Sequence, residues 1–192
     1  MHRFTALGVM SLWLVTTGPA NPTLEGTTSA GDKAVGDAVV WLDAPDVVST
    51  ARRPQAVLDQ RNLSFSPHVL AVQLGTKVEF PNHDRVFHNV FSYRDGRRFN
   101  LGLYPVGTVK EVPFDQPGLS RVFCNIHPQM AAYVMVVDTP YFAVSDKAGR
   151  FSIPELRPGT YRYHAWRPGA DIMTGSALLR AGELLAIKWP SD

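Results

Sequence analysis

The residues most able to do chemistry lie in one short run, Cys124-Asn125-Ile126-His127-Pro128-Gln129-Met130. Cys124 is the one cysteine in 192 residues, an imidazole follows three positions on, and a thioether three beyond that. Thiolate, neutral imidazole and thioether are donors that suit copper. With one more histidine they make the two-His, one-Cys, weak-Met set of a blue copper centre. His88 is the candidate fourth donor, and His83, in the turn just before it, is a rival. Zinc also takes Cys and His, but methionine is a poor ligand for it and the usual zinc spacings are missing. Each residue has a plainer reading: the cysteine as a small buried hydrophobe, the histidine as a solvated strand end, Met130 as core. All four together at this spacing weigh toward metal.

Positions 88 and 124 share a metal only if distant strands end side by side, and a β-sandwich, whose loops cluster at its ends, provides that. The chain is punctuated accordingly. Its 15 glycines and 15 prolines are spread so that long helices seldom fit, and the expected class is all-β. From Gln55 onward short strands follow closely: Leu63–Phe65, Val69–Leu74, Val78–Phe80, Val86–Tyr93, Thr108–Phe114, Leu119–Phe123 and Ala131–Val137. Alternation along Val86–Phe91 puts His88 on one face, near a strand end. Residues 45–56 read as a linker. On either side lie further strands, Ala38–Leu42 before, and Tyr141–Val144, Phe151–Ile153, Tyr161–Trp166 and Leu184–Trp189 after. The division expected is a leader over residues 1–20, flanking strands over 21–54, a metal-binding unit over 55–137 and a second β-sandwich over 138–192.

His2 and Arg3, the apolar run Ala6–Val15 and the small residues Gly18-Pro19-Ala20 read as an export signal too short to span a bilayer. Export sharpens the reading of Cys124, because a cysteine left alone in an exported protein pairs with another chain, stays free or binds metal. Arg3 is the only formally charged residue of the leader, so its removal takes the net charge from +2 to +1, which argues against nucleic acid as the main partner. About 170 mature residues bury a core without disulfides. A monomer, with no membrane span once the leader has gone, is expected.

Cys124-x-x-His127-x-x-Met130, with Pro128 after the histidine and His88-Asn89 upstream, resembles the copper loop of cupredoxins, its short spacing being closest to amicyanin. The wider run Phe80-Pro81-Asn82, His88-Asn89-Val90-Phe91, Phe99-Asn100-Leu101-Gly102 and Phe123 to Pro128 resembles bacterial plastocyanin/azurin-like proteins, often described as methylamine-utilisation-like. The resemblance implies a Greek-key sandwich holding one copper that cycles between Cu(I) and Cu(II). His88, Cys124 and His127 would be the trigonal ligands and Met130 the long axial one. It further implies that His127 is the electron port and that Asn89 ties the ligand loop to the neighbouring strand. Pro128 has no N–H to offer the sulfur, from which a lowered reduction potential is expected.

The outer segments carry a second likeness. Asp146 to Phe151 and Leu156-Arg157-Pro158-Gly159-Thr160-Tyr161 resemble the carboxypeptidase-regulatory-like, or transthyretin-like, β-sandwich, and Gly36 to Leu42 is similar to an early strand of it. The copper unit would then be an insertion, which domains tolerate because chain ends often lie close together. The function implied is single-electron transfer between redox partner proteins in the periplasm or another exported location. A module that stores or hands on copper is the alternative, ranked lower because only Met130, Met135 and Met173 remain after the leader. Catalysis by this chain alone is not expected, since few histidines are spare for a second copper. Arg94, Arg97 and Arg98 form a basic hairpin tip that could help dock an acidic partner.

Overall fold

The computed structural model describes residues 23–44, 55–93, 95–179 and 184–191, and every regular element among them is a β-strand. The leader, residues 45–54 of the expected linker, and Arg94 lie outside the described residues. Gln55 and Ala56, read as linker, instead open a strand, Gln55–Val57, that runs parallel to Thr76–Pro81.

The segment 55–137 makes a sandwich. One sheet runs in the order Phe99–Tyr104, His88–Ser92, Gly118–Phe123, Ala131–Val137, Val69–Gln73; the other is Val109–Phe114, Thr76–Pro81, Gln55–Val57. Alternation decides what goes inside. Val78 and Phe80 face Val112 and Phe114 toward a core that also takes Val90, Val122, Cys124 and Met130. Ala131–Val137 reads as an unbroken apolar run because both its faces are covered. Ala132, Val134 and Val136 point into that core, whereas Met135 and Val137 pack on Val39, Val69 and Trp166. A strand buried on both sides cannot alternate with polar residues.

The flanking segments build two more sheets together. Leu24–Ala30 lies between Arg150–Ile153, antiparallel, and Leu184–Trp189, parallel. Val39–Leu42 lies between Phe142–Val144 and Gly159–Trp166. Both N-terminal strands thus find their main partners beyond residue 140, and Leu24, Val40, Leu42, Phe151 and Ile187 share one core. Between the two sandwiches, the Tyr133 and Trp166 rings meet edge to face at 5.3 Å, and His68 Nδ1 pairs with Asp37 Oδ2 at 3.1 Å.

One strand, Met173–Leu179, has no β-rich signature. Its Gly175 sits opposite Tyr163 in the register, and a Cβ there would lie 2.5 Å from the ring. The tyrosine ring fills the space a side chain would need, so glycine serves the pairing although it weakens the sequence signal.

Candidate metal centre

Strand Gly118–Phe123 delivers Cys124 to one end of the first sandwich, and Ala131 returns opposite Phe123, so the intervening residues form a tight connection. Its backbone is closed by the Met130 N–H donating to His127 O at 2.9 Å and the Cys124 N–H donating to Met130 O at 3.3 Å. His88 opens the strand that pairs with Gly118–Phe123 on its other side, and it lies opposite Tyr104 across the sheet edge. It is fully buried, and Cys124 is 4% exposed.

Three donor atoms converge. Cys124 Sγ lies 3.8 Å from His88 Nδ1 and 3.8 Å from His127 Nδ1, and the two nitrogens are 3.1 Å apart. A point equidistant from all three lies about 2.1 Å from each, which is a metal–nitrogen bond length and close to a metal–sulfur one. The residues present therefore fit a small thiophilic ion. Among the described residues this is the only group of three or more His, Cys, Asp or Glu with metal-holding geometry.

The outer nitrogen of His88 is also committed. Its Nε2 lies 3.1 Å from Asp84 Oδ2, and the Asp84 side chain is only 12% exposed. Asp84 in turn accepts from the Leu63 N–H at 2.7 Å and the Arg85 N–H at 2.9 Å. The Leu63 amide, helped by the Arg85 amide and the His88 ring, holds the carboxyl below its usual range against the opposing effect of burial. An ionised Asp84 fixes the proton of His88 on Nε2 and leaves Nδ1, the nitrogen aimed at Cys124, with a free lone pair. Leu63 and its neighbour Asn62 both have positive φ, 55° and 54°, in the two-residue turn joining Asp59–Arg61 to Ser64–Ser66. That primed turn is what aims the Leu63 amide outward at Asp84.

Met130 is buried, 1% exposed, in the same core cluster as Cys124. Asn89 differs from what the resemblance implies. Its Nδ2 donates to Asn100 Oδ1 at 2.8 Å, tying the His88 strand to the sheet edge and not to the ligand loop, and its buried Oδ1 has no partner. Pro128 is exposed beside half-buried His127. The rival His83 turns away, its Nδ1 2.8 Å from Asp59 Oδ1. His68 and His164 face Asp37 and Asp43. Arg97 of the basic tip is engaged by Asp115, and Asp95 of the same hairpin by Arg121.

The family model that matches is polysaccharide lyase family 4, domain II, over residues 133–176; it is a different family from the transthyretin-like one the motifs of that region resemble. No curated protein matches the chain. Among solved structures, a purple cupredoxin from Nitrosopumilus maritimus is 28% identical over 44% of this chain and 99% of its own, with a TM-score of 0.39. A copper-containing nitrite reductase from Thermus scotoductus SA-01 is 24% identical over 51% of this chain and 25% of its own, with a TM-score of 0.43. Amicyanin, as the reduced Cu(I) form of a mutant at pH 4, is 20% identical over 53% of this chain and 99% of its own, with a TM-score of 0.40.

Asp84 is the site residue that sequence reasoning missed. In Pro81-Asn82-His83-Asp84 it reads as a turn former. The available signal was its position four residues before a candidate ligand, in a loop that must bring any carboxylate close to that imidazole.

Proposed function

We propose that this chain is an exported electron carrier built around one copper ion held by His88, Cys124 and His127, with Met130 as the weak fourth ligand. The observation that carries this reading is the triangle of Sγ and two Nδ1 atoms, two of its three residues buried, preset at metal-binding spacing. Copper in such a donor set exchanges a single electron at little cost in ligand rearrangement.

The protein's own residues do the rest. Asp84 holds His88 in one tautomer, and the strand pairing of Phe123 with Ala131 fixes the two ends of the loop. Burial of His88 and Cys124 keeps water and exchanging ligands away, which favours carrying electrons over handing on metal. His127 is the ligand that reaches outward, flanked by exposed Ile126 and Pro128. An electron from a reduced partner protein enters by this edge and leaves by it to an oxidised one. Phe87, 53% exposed in the loop before His88, extends the apolar surface such partners would cover. The outer strands, as a carboxypeptidase-regulatory-like sandwich with the copper unit inserted, would carry that unit on a rigid base.

Protein-film voltammetry of the mature, copper-loaded chain tests the reading. One reversible one-electron couple, with electron self-exchange much faster than loss of copper to a chelator, is expected. Copper that leaves faster than electrons are exchanged would overturn it in favour of a metal-delivery role.

A further inference from the structure

The loop that delivers His88 has little to hold it down. Between Asn82 and His88, residues His83, Arg85, Val86 and Phe87 are all exposed, so no buried apolar side chain anchors it. Polar contacts hold it instead: the Leu63 N–H on the Asp84 carboxylate, His83 on Asp59 and, through its N–H, on Gln60 O at 3.0 Å, and, from inside the loop, Asn82. This side chain is fully buried. Its Oδ1 accepts from the Asp84 N–H at 3.0 Å, and its Nδ2 donates to Val86 O at 2.9 Å and Tyr104 O at 3.2 Å. Its backbone is used as fully, donating to Thr108 O at 2.9 Å and accepting from the Gly107 N–H at 2.8 Å. Beneath it, buried Gln60 donates to Pro81 O and to the Tyr104 hydroxyl, which donates to Phe80 O.

We infer that Asn82 is a positioning residue: it clamps two interior points of the His88 loop, Asp84 and Val86, and so sets the pose of the imidazole before any metal arrives. The inference rests on the copper reading of the Cys124 site. The chain of contacts is Asn82 to the Asp84 backbone, the Asp84 carboxylate to His88 Nε2, and His88 Nδ1 toward Cys124. A buried polar side chain with three bonds is a specific and demanding anchor, because removing it takes the donor from the Val86 and Tyr104 carbonyls and the acceptor from the Asp84 N–H at once. An exposed turn asparagine would hold nothing.

The test compares wild type with Asn82→Ala and with Val136→Ala, a core truncation at the far end of Ala131–Val137 that serves as a control for lost stability. Two readouts are taken well below the unfolding temperature. In the metal-free protein, ring ¹⁵N NMR of His88 should show one Nε2–H tautomer in wild type and Val136→Ala, and a mixture or averaged signal in Asn82→Ala. Copper(II) affinity, by competition with a chelator, should fall about tenfold in Asn82→Ala alone, the range for loss of a group that orients a ligand. If Asn82→Ala matches Val136→Ala in both, the inference is wrong while the copper reading stands. If wild type gives no thiolate-to-copper band, the copper reading fails, and the metal-free NMR still decides whether Asn82 sets the ring. Should Asn82→Ala not fold, Asn82→Ser, which retains an acceptor for Asp84 N–H but cannot reach both carbonyls, takes its place with the same two outcomes.

Discussion

Replacing Asp84 by Asn tests how the protein prepares His88. The substitution keeps the shape and one oxygen for the Leu63 N–H, so the loop has the means to stay folded. It removes the charge facing His88 Nε2 at 3.1 Å. Because the Leu63 N–H and His88 Nε2 share the same oxygen, Oδ2, an amide that keeps its oxygen there holds the Nε2 proton more weakly and frees the imidazole to place a proton on Nδ1, the nitrogen aimed at Cys124. A hydrogen bond to a charged group contributes about 1.5–3 kcal/mol; with Asp84 partly reached by solvent, about 1.5 kcal/mol is the apt figure, close to a tenfold change in affinity. The carboxylate favours the more highly charged Cu(II). If Cu(I) binding were unaffected, the reduction potential would therefore rise by about 60 mV, the one-electron equivalent of a factor of ten. Chelator competition for both oxidation states and voltammetry measure these quantities. Unchanged Cu(II) affinity and potential in a folded Asp84→Asn protein would refute the idea that Asp84 fixes the ligand tautomer.

Three other outcomes follow from the same structure. Met130→Leu, a near volume-conserving change, should cost less than about 1.5 kcal/mol of stability in urea unfolding yet shift the potential upward by removing a thioether donor; an unmoved potential would make Met130 core only. Pro128→Ala supplies an N–H beside the ligand loop and should raise the potential by tens of millivolts, since each ~1.4 kcal/mol of preferential Cu(I) stabilisation is about 60 mV. The carboxyls of Asp84 and Asp146 are held below the ordinary 3.8, the first chiefly by the Leu63 amide and the second by Arg150. Their folded-state contribution is complete above that value and is lost as pH falls through the lowered one, so the urea midpoint should hold as pH drops toward about 4 and decline below it, less steeply in Asp84→Asn.

Much of this was legible because the motif is compact. Cys124, His127 and Met130 occupy seven consecutive residues, and Val86–Phe91 alternates clearly enough to place His88. Local turn signals marked Val39–Leu42 and the strands beyond residue 140 one by one, and their association was implied only by the likeness of both outer segments to one β-sandwich. What the sequence hid was support contributed by residues with two uses. Asn82 and Asp84 are good turn formers whether or not they bury a side chain, and only the fold shows that one bonds to Asp84 and Val86 and the other faces His88 Nε2. Asn89 hid a different fact: its bond runs to Asn100, a partner eleven residues on that strand pairing selects. Met173–Leu179 went unread because Gly175 makes room for Tyr163, a tertiary reason invisible to strand propensity.

If Cys124, His88 and His127 hold copper as proposed, the ion is a thiolate-bound redox centre. Absorption and electron paramagnetic resonance spectra of the mature chain with one equivalent of copper(II) test it most directly. An intense blue sulfur-to-copper band and the narrow copper hyperfine splitting of a highly covalent site are expected, both lost in Cys124→Ser. A colourless adduct, or a band that survives in Cys124→Ser, would contradict it.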